Sequence, residues 1–289
     1  MSAGWTEDWG LVHAVPTASK GNATPRTAPF GTPERPLPLI IDSDPGLDDA
    51  LAIGLAVARP ELQVLAVTTV GGNADVSYCT ENALRLLHAY GRPDIPVAEG
   101  AAGALLGSVV RATEVHGASG IGNTVLEPAS AVRHALGAVD LMARLIADSP
   151  EPVAIAPVGP LTNIALLILT HPELLSRIAH LSIMGGSIGE GNTTVSAEFN
   201  IYADPEAADI VFRSALPITM MGLDVTHQAL LDRSSVAPGF CHRAGDPSRG
   251  AGNRVHCAAI AAALWRGIQG PAGTRVDRVV LARSAGLLP

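Results

Sequence analysis

Four carboxylates stand within eight positions in Asp42-Ser43-Asp44-Pro45-Gly46-Leu47-Asp48-Asp49. Acids this close repel one another unless a cation or hydrogen-bond donors offset their charge. Two readings compete. In one, Asp48 or Asp49 caps a helix and water surrounds the rest; in the other, a hard divalent metal is held by oxygen ligands. A cap needs one acid rather than four, which favours the metal. Further polar residues follow: Asn73 after Gly71-Gly72, then Asn192, Glu198 and Asn200. Carboxylates, amides and a metal together suit a polyhydroxylated ligand, whose vicinal hydroxyls both coordinate a cation and donate to acids. Taken singly, Asn73 also fits a plain turn, Asn163 a brace at the start of a helix, and His116 a surface histidine in a Gly-flanked loop.

The elements that must position these residues are readable from apolar patterning. Residues 37–41 are a short apolar run that stops at Asp42, and an apolar helix follows Pro45-Gly46. The acids therefore sit at the carboxyl end of a strand, where open α/β sheets place their ligands. Strands are expected at 62–70, 95–98, 153–157, 181–184 and 217–222. Helices are expected at 76–90, 131–148, 161–169 and 205–214, the last opened by Asp204-Pro205-Glu206 as N-cap, first-turn proline and early acid. Residues 99–128 are Gly-rich and read as a long functional loop. Strands alternating with helices predict an α/β fold: a single open, mostly parallel (mixed) sheet with helices on both faces.

Composition bounds the rest. A chain of 289 residues with 47% hydrophobic and 16% charged residues is globular rather than disordered. Three cysteines without metal-like spacing suggest no disulfide framework, and a cytoplasmic setting is the expectation. No apolar run approaches the roughly 18 residues of a membrane span. Glu7 and Asp8 stand where a secretory leader would be basic, so no such leader is expected. A net charge of −8 gives no reason to expect nucleic acid as a partner. Charge is uneven: residues 1–235 hold 12 basic and 25 acidic side chains, and residues 236–289 hold 7 and 2. Three segments follow: a flexible extension over 1–36, an α/β domain over 37–235 and an atypical basic segment over 236–289.

The segment Asp42 to Ala50 resembles the N-terminal signature of the inosine-uridine preferring nucleoside hydrolases. The likeness continues through Thr68 to Asn73, Val115-His116-Gly117, Val158 to Asn163, Met184-Gly185-Gly186, Glu190 to Asn200 and Met221 to Thr226. The resemblance implies hydrolysis of the N-glycosidic bond of ribonucleosides to ribose and free base, with Ca2+ as cofactor. It implies that Asp44 holds calcium and takes the proton of the attacking water. It implies that Asp49 and the backbone carbonyl of Val158 complete the metal ligands, with Asp42 supporting them from behind. Asp48, Asn73, Asn192, Glu198 and Asn200 are then the ribose-hydroxyl partners. An oxocarbenium-like sugar is favoured among carboxylates, so the same cluster serves the transition state. The resemblance also implies a homo-oligomer, dimer or tetramer.

The family closes its site with a His-Asp pair, whose histidine assists the departing base. Here His256 opens an apolar run, but Cys257 stands where the acid is expected, and thiolate is a poor ligand for a hard cation. Divergence and a frameshifted or truncated C-terminus both account for this segment. Two other functions stay open on the residues alone: a ribose-binding relative without turnover, and a metal-dependent phosphohydrolase built on Asp42 and Asp44. Against the last, no lysine or Gly-rich cradle for phosphate accompanies the acids.

Overall fold

The computed structural model describes residues 31–107, 110–122 and 124–228, together with the short strands Leu230–Leu231 and Val279–Val280. The remainder of the segments at 1–36 and 236–289, including His256 and Cys257, lies outside the described residues. Residues 31–35 form a turn, and Arg35 reaches Glu151 at 3.1 Å.

Six strands form the sheet: β1 (Leu37–Ser43), β2 (Leu62–Thr69), β3 (Val97–Glu99), β4 (Val153–Pro157), β5 (Ile178–Met184) and β6 (Ile218–Met221). Their order is β3-β2-β1-β4-β5-β6, and every pairing is parallel. A parallel sheet covered on both faces has no wet side, so its central strands are apolar throughout rather than alternating. β1 shows this directly, being buried at all seven positions. Leu37, Leu39 and Ile41 pack toward α1 (Leu47–Ala58) and α2 (Val76–Ala89), whereas Ile40 packs toward α4 (Ala138–Asp148), α5 (Thr162–Thr170) and α7 (Pro205–Arg213). Between α2 and α4 lies the one-turn helix α3 (Thr113–His116), and α6 (Phe199–Ala203) precedes α7.

β5 begins three residues earlier than the apolar pattern predicts and β3 lies slightly later, and two helix starts also differ. The helix expected from 131 begins only at Ala138, because the backbone before it is drawn onto the sheet edge, where the His134 N–H donates to the Val97 carbonyl at 2.7 Å. The first helix begins at Leu47, three residues before its apolar run. Gly46 is its N-cap, and the Asp49 carboxylate accepts the Gly46 N–H at 2.9 Å. A bond of this kind offsets one of the four unpaired N–H groups that open a helix. Asp49 is therefore a helix-capping acid as well as a member of the cluster.

Candidate active site

The chain leaves β1 for β2 and β3 on one side, then returns to lay β4 on the other. The crevice between the β1 and β4 loops is the switch point at which such sheets bind ligands. The pleat of β1 distributes its terminal residues. Asp42 shares the face of Ile40 and meets α5, where the Asn163 Nδ2 donates to its Oδ1 at 2.9 Å. Ser43 shares the face of Ile41 and meets α1, donating its Oγ to Asp49 Oδ1 at 2.9 Å. Asp44 leaves the strand between two glycines from other loops. A Cβ on Gly72 would lie 2.1 Å from Asp44 Oδ2, and one on Gly159 would lie 2.6 Å from Asp44 Oδ1. Those close approaches are why no side chain fits at either position. Gly159→Ala should therefore displace the carboxylate, and on the expectation that Asp44 takes the proton of the attacking water it should cost about a hundredfold in turnover, since misplacement of a reacting group by about 1 Å has that effect. Steady-state kinetics on a folded variant checks this.

Burial dominates the electrostatics. Asp42 is fully buried, and desolvation pushes its carboxyl up to about 7 against the opposing bonds from Thr68 and Asn163. Burial also lifts Asp49 to about 7, with the Asp48 charge adding to it. Asp44 is held well above the usual carboxylate range, by burial first and then by the charge of Asp49. Buried carboxylates of this kind ionise more readily when a positive group joins them. Among the described residues, Asp42 Oδ2, Asp44 Oδ1 and Asp48 Oδ1 are buried without a hydrogen-bond partner. These orphaned oxygens and the all-oxygen donor set fit a hard cation. Among the described residues no three His, Cys, Asp or Glu groups converge as a ready-made metal cluster. The fit rests instead on the orphaned oxygens of Asp42, Asp44 and Asp48.

The remaining predicted residues fall into two groups. Asn73 is committed to the acid loop. Its N–H donates to Asp44 Oδ2 at 2.7 Å, and its Nδ2 donates to the Asp44 carbonyl at 3.0 Å and Asp49 Oδ2 at 3.1 Å. It is thus more than a turn residue. Val158 follows β4; its N–H donates to the Asp42 carbonyl at 2.8 Å, and its own carbonyl accepts Asn200 Nδ2 at 3.1 Å. Asn200 also donates to the Met184 carbonyl at 3.1 Å, so it ties the ends of β4 and β5 together. Glu198 caps α6, its Oε2 accepting the N–H groups of Ile201 and Gly186, and burial raises its carboxyl above the usual range. Asn192 is not drawn into this knot. It is exposed, and its side-chain oxygen accepts the Phe199 N–H at 2.9 Å. His116 is half-buried: burial lowers its pKa against the pull of Asp48, and its Nδ1 faces the Leu47 N–H at 3.5 Å.

The sequence undervalued Asn163 and Thr68. Neither Asn163's place in a helix nor Thr68's place in a strand shows that both donate to Asp42 Oδ1. The available signal was the run Gly159-Pro160-Leu161-Thr162-Asn163, two small polar residues opening a helix directly behind a strand at the switch point.

Comparison with known proteins agrees with this geometry. The sequence model of the family "Inosine-uridine preferring nucleoside hydrolase" matches residues 39–267, which runs beyond the described sheet and takes in His256. A pyrimidine-specific ribonucleoside hydrolase RihA from Photobacterium profundum is 54% identical over 192 residues, covering 66% of this chain and 62% of that protein. The RihA of Salmonella schwarzengrund is 50% identical over 200 residues, covering 69% and 64%. The chain thus spans less than two thirds of the length of these curated relatives. Among solved structures, a plant nucleoside hydrolase superposes with a TM-score of 0.71 at 34% identity, covering 85% of this chain and 75% of that one. A purine-preferring ribonucleoside hydrolase from Gardnerella vaginalis gives 0.70 at 30% identity, covering 81% and 73%. The acid loop at the switch point, the order of the sheet and the matched span have one explanation: the chain belongs to the inosine-uridine preferring nucleoside hydrolase family.

Proposed function

We propose that this protein hydrolyses the N-glycosidic bond of ribonucleosides, with pyrimidine ribonucleosides as its preferred substrates and Ca2+ as its cofactor. The observation that carries the reading is the acid cluster at the sheet's switch point, in which Asp42, Asp44 and Asp48 each keep a buried oxygen without a partner among the described residues. Relatives at 50 and 54% identity bear the name pyrimidine-specific, whereas the purine-preferring hydrolase stands at 30%, which supports the base preference. A homo-oligomer in the cytoplasm completes the reading. Among the described residues no helix is long and apolar enough to cross a membrane.

Asp44, Asp49 and the Val158 carbonyl would hold the cation. When bound, Ca2+ supplies the positive charge that offsets the acids and polarises the oxygens of ribose and water. Asp44 takes one proton from water as the water's oxygen bonds to the anomeric carbon. The bond from that carbon to the base nitrogen breaks, and the base leaves with its electron pair and gains a proton. His256 is proposed as the donor of that proton. Asp48, Asn73, Asn192, Glu198 and Asn200 are proposed to bind the ribose hydroxyls, and the charge-assisted bonds among them, those to the Asp48 and Glu198 carboxylates, contribute roughly 1.5–3 kcal/mol each. Asn200→Ala removes a neutral hydrogen bond and should weaken ribosides by roughly twofold to tenfold and 2′- or 3′-deoxyribosides less. Equal losses on both would show that Asn200 does not touch the hydroxyl.

The test is ribose release by the purified chain from uridine, cytidine, inosine and guanosine, with Ca2+ and with a chelator. Release from uridine and cytidine that is at least tenfold faster than from the purines, and is abolished by chelation, is expected. Absence of ribose release from all four would overturn the activity. Faster release from the purines would overturn the base preference.

A further inference from the structure

Asn163 lies at the second position of α5 with its side chain fully buried, yet it neither caps that helix nor belongs to the ligand set proposed above. Its amide is saturated. Nδ2 donates to Asp42 Oδ1 and to the Thr69 carbonyl, both at 2.9 Å, and Oδ1 accepts the Ala101 N–H at 2.9 Å. The orientation of the amide follows from its partners, because a backbone N–H only donates and a carbonyl only accepts. One side chain therefore joins the ends of β1 and β2 to the loop that follows β3.

That loop is pressed flat onto the amide. A Cβ on Gly100 would lie 2.4 Å from Asn163 Oδ1 and 2.5 Å from Nδ2. Beyond it, the Ala101 carbonyl accepts the Gly71 N–H at 2.9 Å, and the Arg111 guanidinium donates to the Ala102 carbonyl at 2.6 Å. The turn opened by Gly71 carries Asn73, whose N–H holds Asp44 Oδ2. A second tie comes from the adjacent residue of α5. Thr162 Oγ1 donates to Asp204 Oδ2 at 2.6 Å, the same oxygen that accepts the Leu105 N–H at 2.9 Å. Two neighbouring residues of one helix thus hold both ends of the 101–105 loop, and the loop holds the turn that aims Asp44.

We propose that Asn163 is a positioning residue for the acid cluster: it sets Asp42 directly and Asp44 through the 101–105 loop and the Gly71-Gly72-Asn73 turn. The inference rests on the ribonucleoside hydrolase reading and names how its acids are aimed. Asn163→Ala leaves three buried groups short of a partner. Asn163→Asp goes further and sets a carboxylate oxygen against Asp42 Oδ1 and the Thr69 carbonyl. A core variant remote from the site, Ile146→Ala in α4, serves as a control for general destabilisation.

Two readouts decide it: Ca2+ affinity by isothermal titration, and kcat and KM on uridine. Asn163→Ala should bind Ca2+ at least tenfold more weakly and lose about a hundredfold in kcat, with KM within threefold of wild type. Asn163→Asp should be worse in both, and Ile146→Ala should keep both. Should Asn163→Ala fail to fold, Asn163→Ser, which keeps a short polar group in the same space, carries the same expectation. Unchanged Ca2+ affinity in a folded Asn163 variant, or an equal loss in Ile146→Ala, overturns the role. If the wild-type chain binds Ca2+ but releases no ribose, the hydrolase reading fails while the titration still decides Asn163. A wild-type chain that binds no Ca2+ overturns the positioning role together with the cation assignment.

Discussion

Asp44→Asn is expected to lower kcat on pyrimidine ribonucleosides by roughly a thousandfold or more, since under the proposed function it removes both a general base and a charge facing a cationic sugar. The substitution keeps the shape of the side chain between Gly72 and Gly159, so the loop should retain its course. It should also weaken Ca2+ binding, because affinity follows the number of anionic ligands. Stability should move the opposite way. The wild-type carboxylate is buried beside Asp49 and Asp48, with Oδ1 lacking any partner among the described residues. Without metal at pH 8, Asp44→Asn should therefore melt at a higher temperature than wild type. A variant that is slow, weak for calcium and yet more stable when metal-free is hard to produce by damage to the fold. Retention of a tenth or more of wild-type kcat would remove Asp44 from the reaction.

The second large effect is a reversal of the stability profile by metal. In the unfolded chain Asp42 ionises near 3.8, whereas burial in the fold moves it to about 7. Between those values the folded state binds more protons than the unfolded state, so stability must fall as pH rises. From pH 5 to pH 8 Asp42 alone should cost the metal-free protein on the order of 2–3 kcal/mol. Asp49, also raised to about 7, and Asp44 act in the same direction. For a chain of this size that is a fall of roughly 5–10 °C in Tm. Calcium at a hundred times its dissociation constant should return about 2.7 kcal/mol at pH 8 and much less at pH 5, where the acids hold protons. Asp42→Asn keeps a side-chain oxygen for Thr68 and Asn163 but does not ionise, and it should flatten the metal-free slope. Thermal melts in chelator and in calcium at the two pH values check this. An equal or higher metal-free Tm at pH 8 would show that the cluster is not buried as the structure has it.

The family of the chain was legible because the acid loop is local: strand, four acids, proline, glycine and helix lie within a few dozen residues. The role of Asp204 was legible for the same reason. Its carboxylate accepts the Ala207 N–H three residues on, as the Asp204-Pro205-Glu206 pattern predicts. Asn73 was half legible; the Gly-Gly before it announces a turn, but not that the turn closes onto Asp44 and Asp49. Asp49 was read as a metal ligand or a cap, and in the fold its carboxylate does cap α1 while also meeting Ser43 and Asn73.

By itself the sequence determined the order of strands and helices and which strand ends carry acids and amides, since periodicity and capping depend on neighbours within one or two turns of chain. Only the tertiary structure decided which of those ends meet. Asp42 and Asn163 are 121 residues apart, and they touch because β4 returns beside β1 and presents the first turn of α5 to that face of the sheet. Gly72 and Gly159 close on Asp44 for the same reason, from β2 on one side and β4 on the other. The raised carboxyls follow from that enclosure. Desolvation depends on what surrounds a group in all directions, and strand order, which no local window contains, sets those surroundings for the acids of β1.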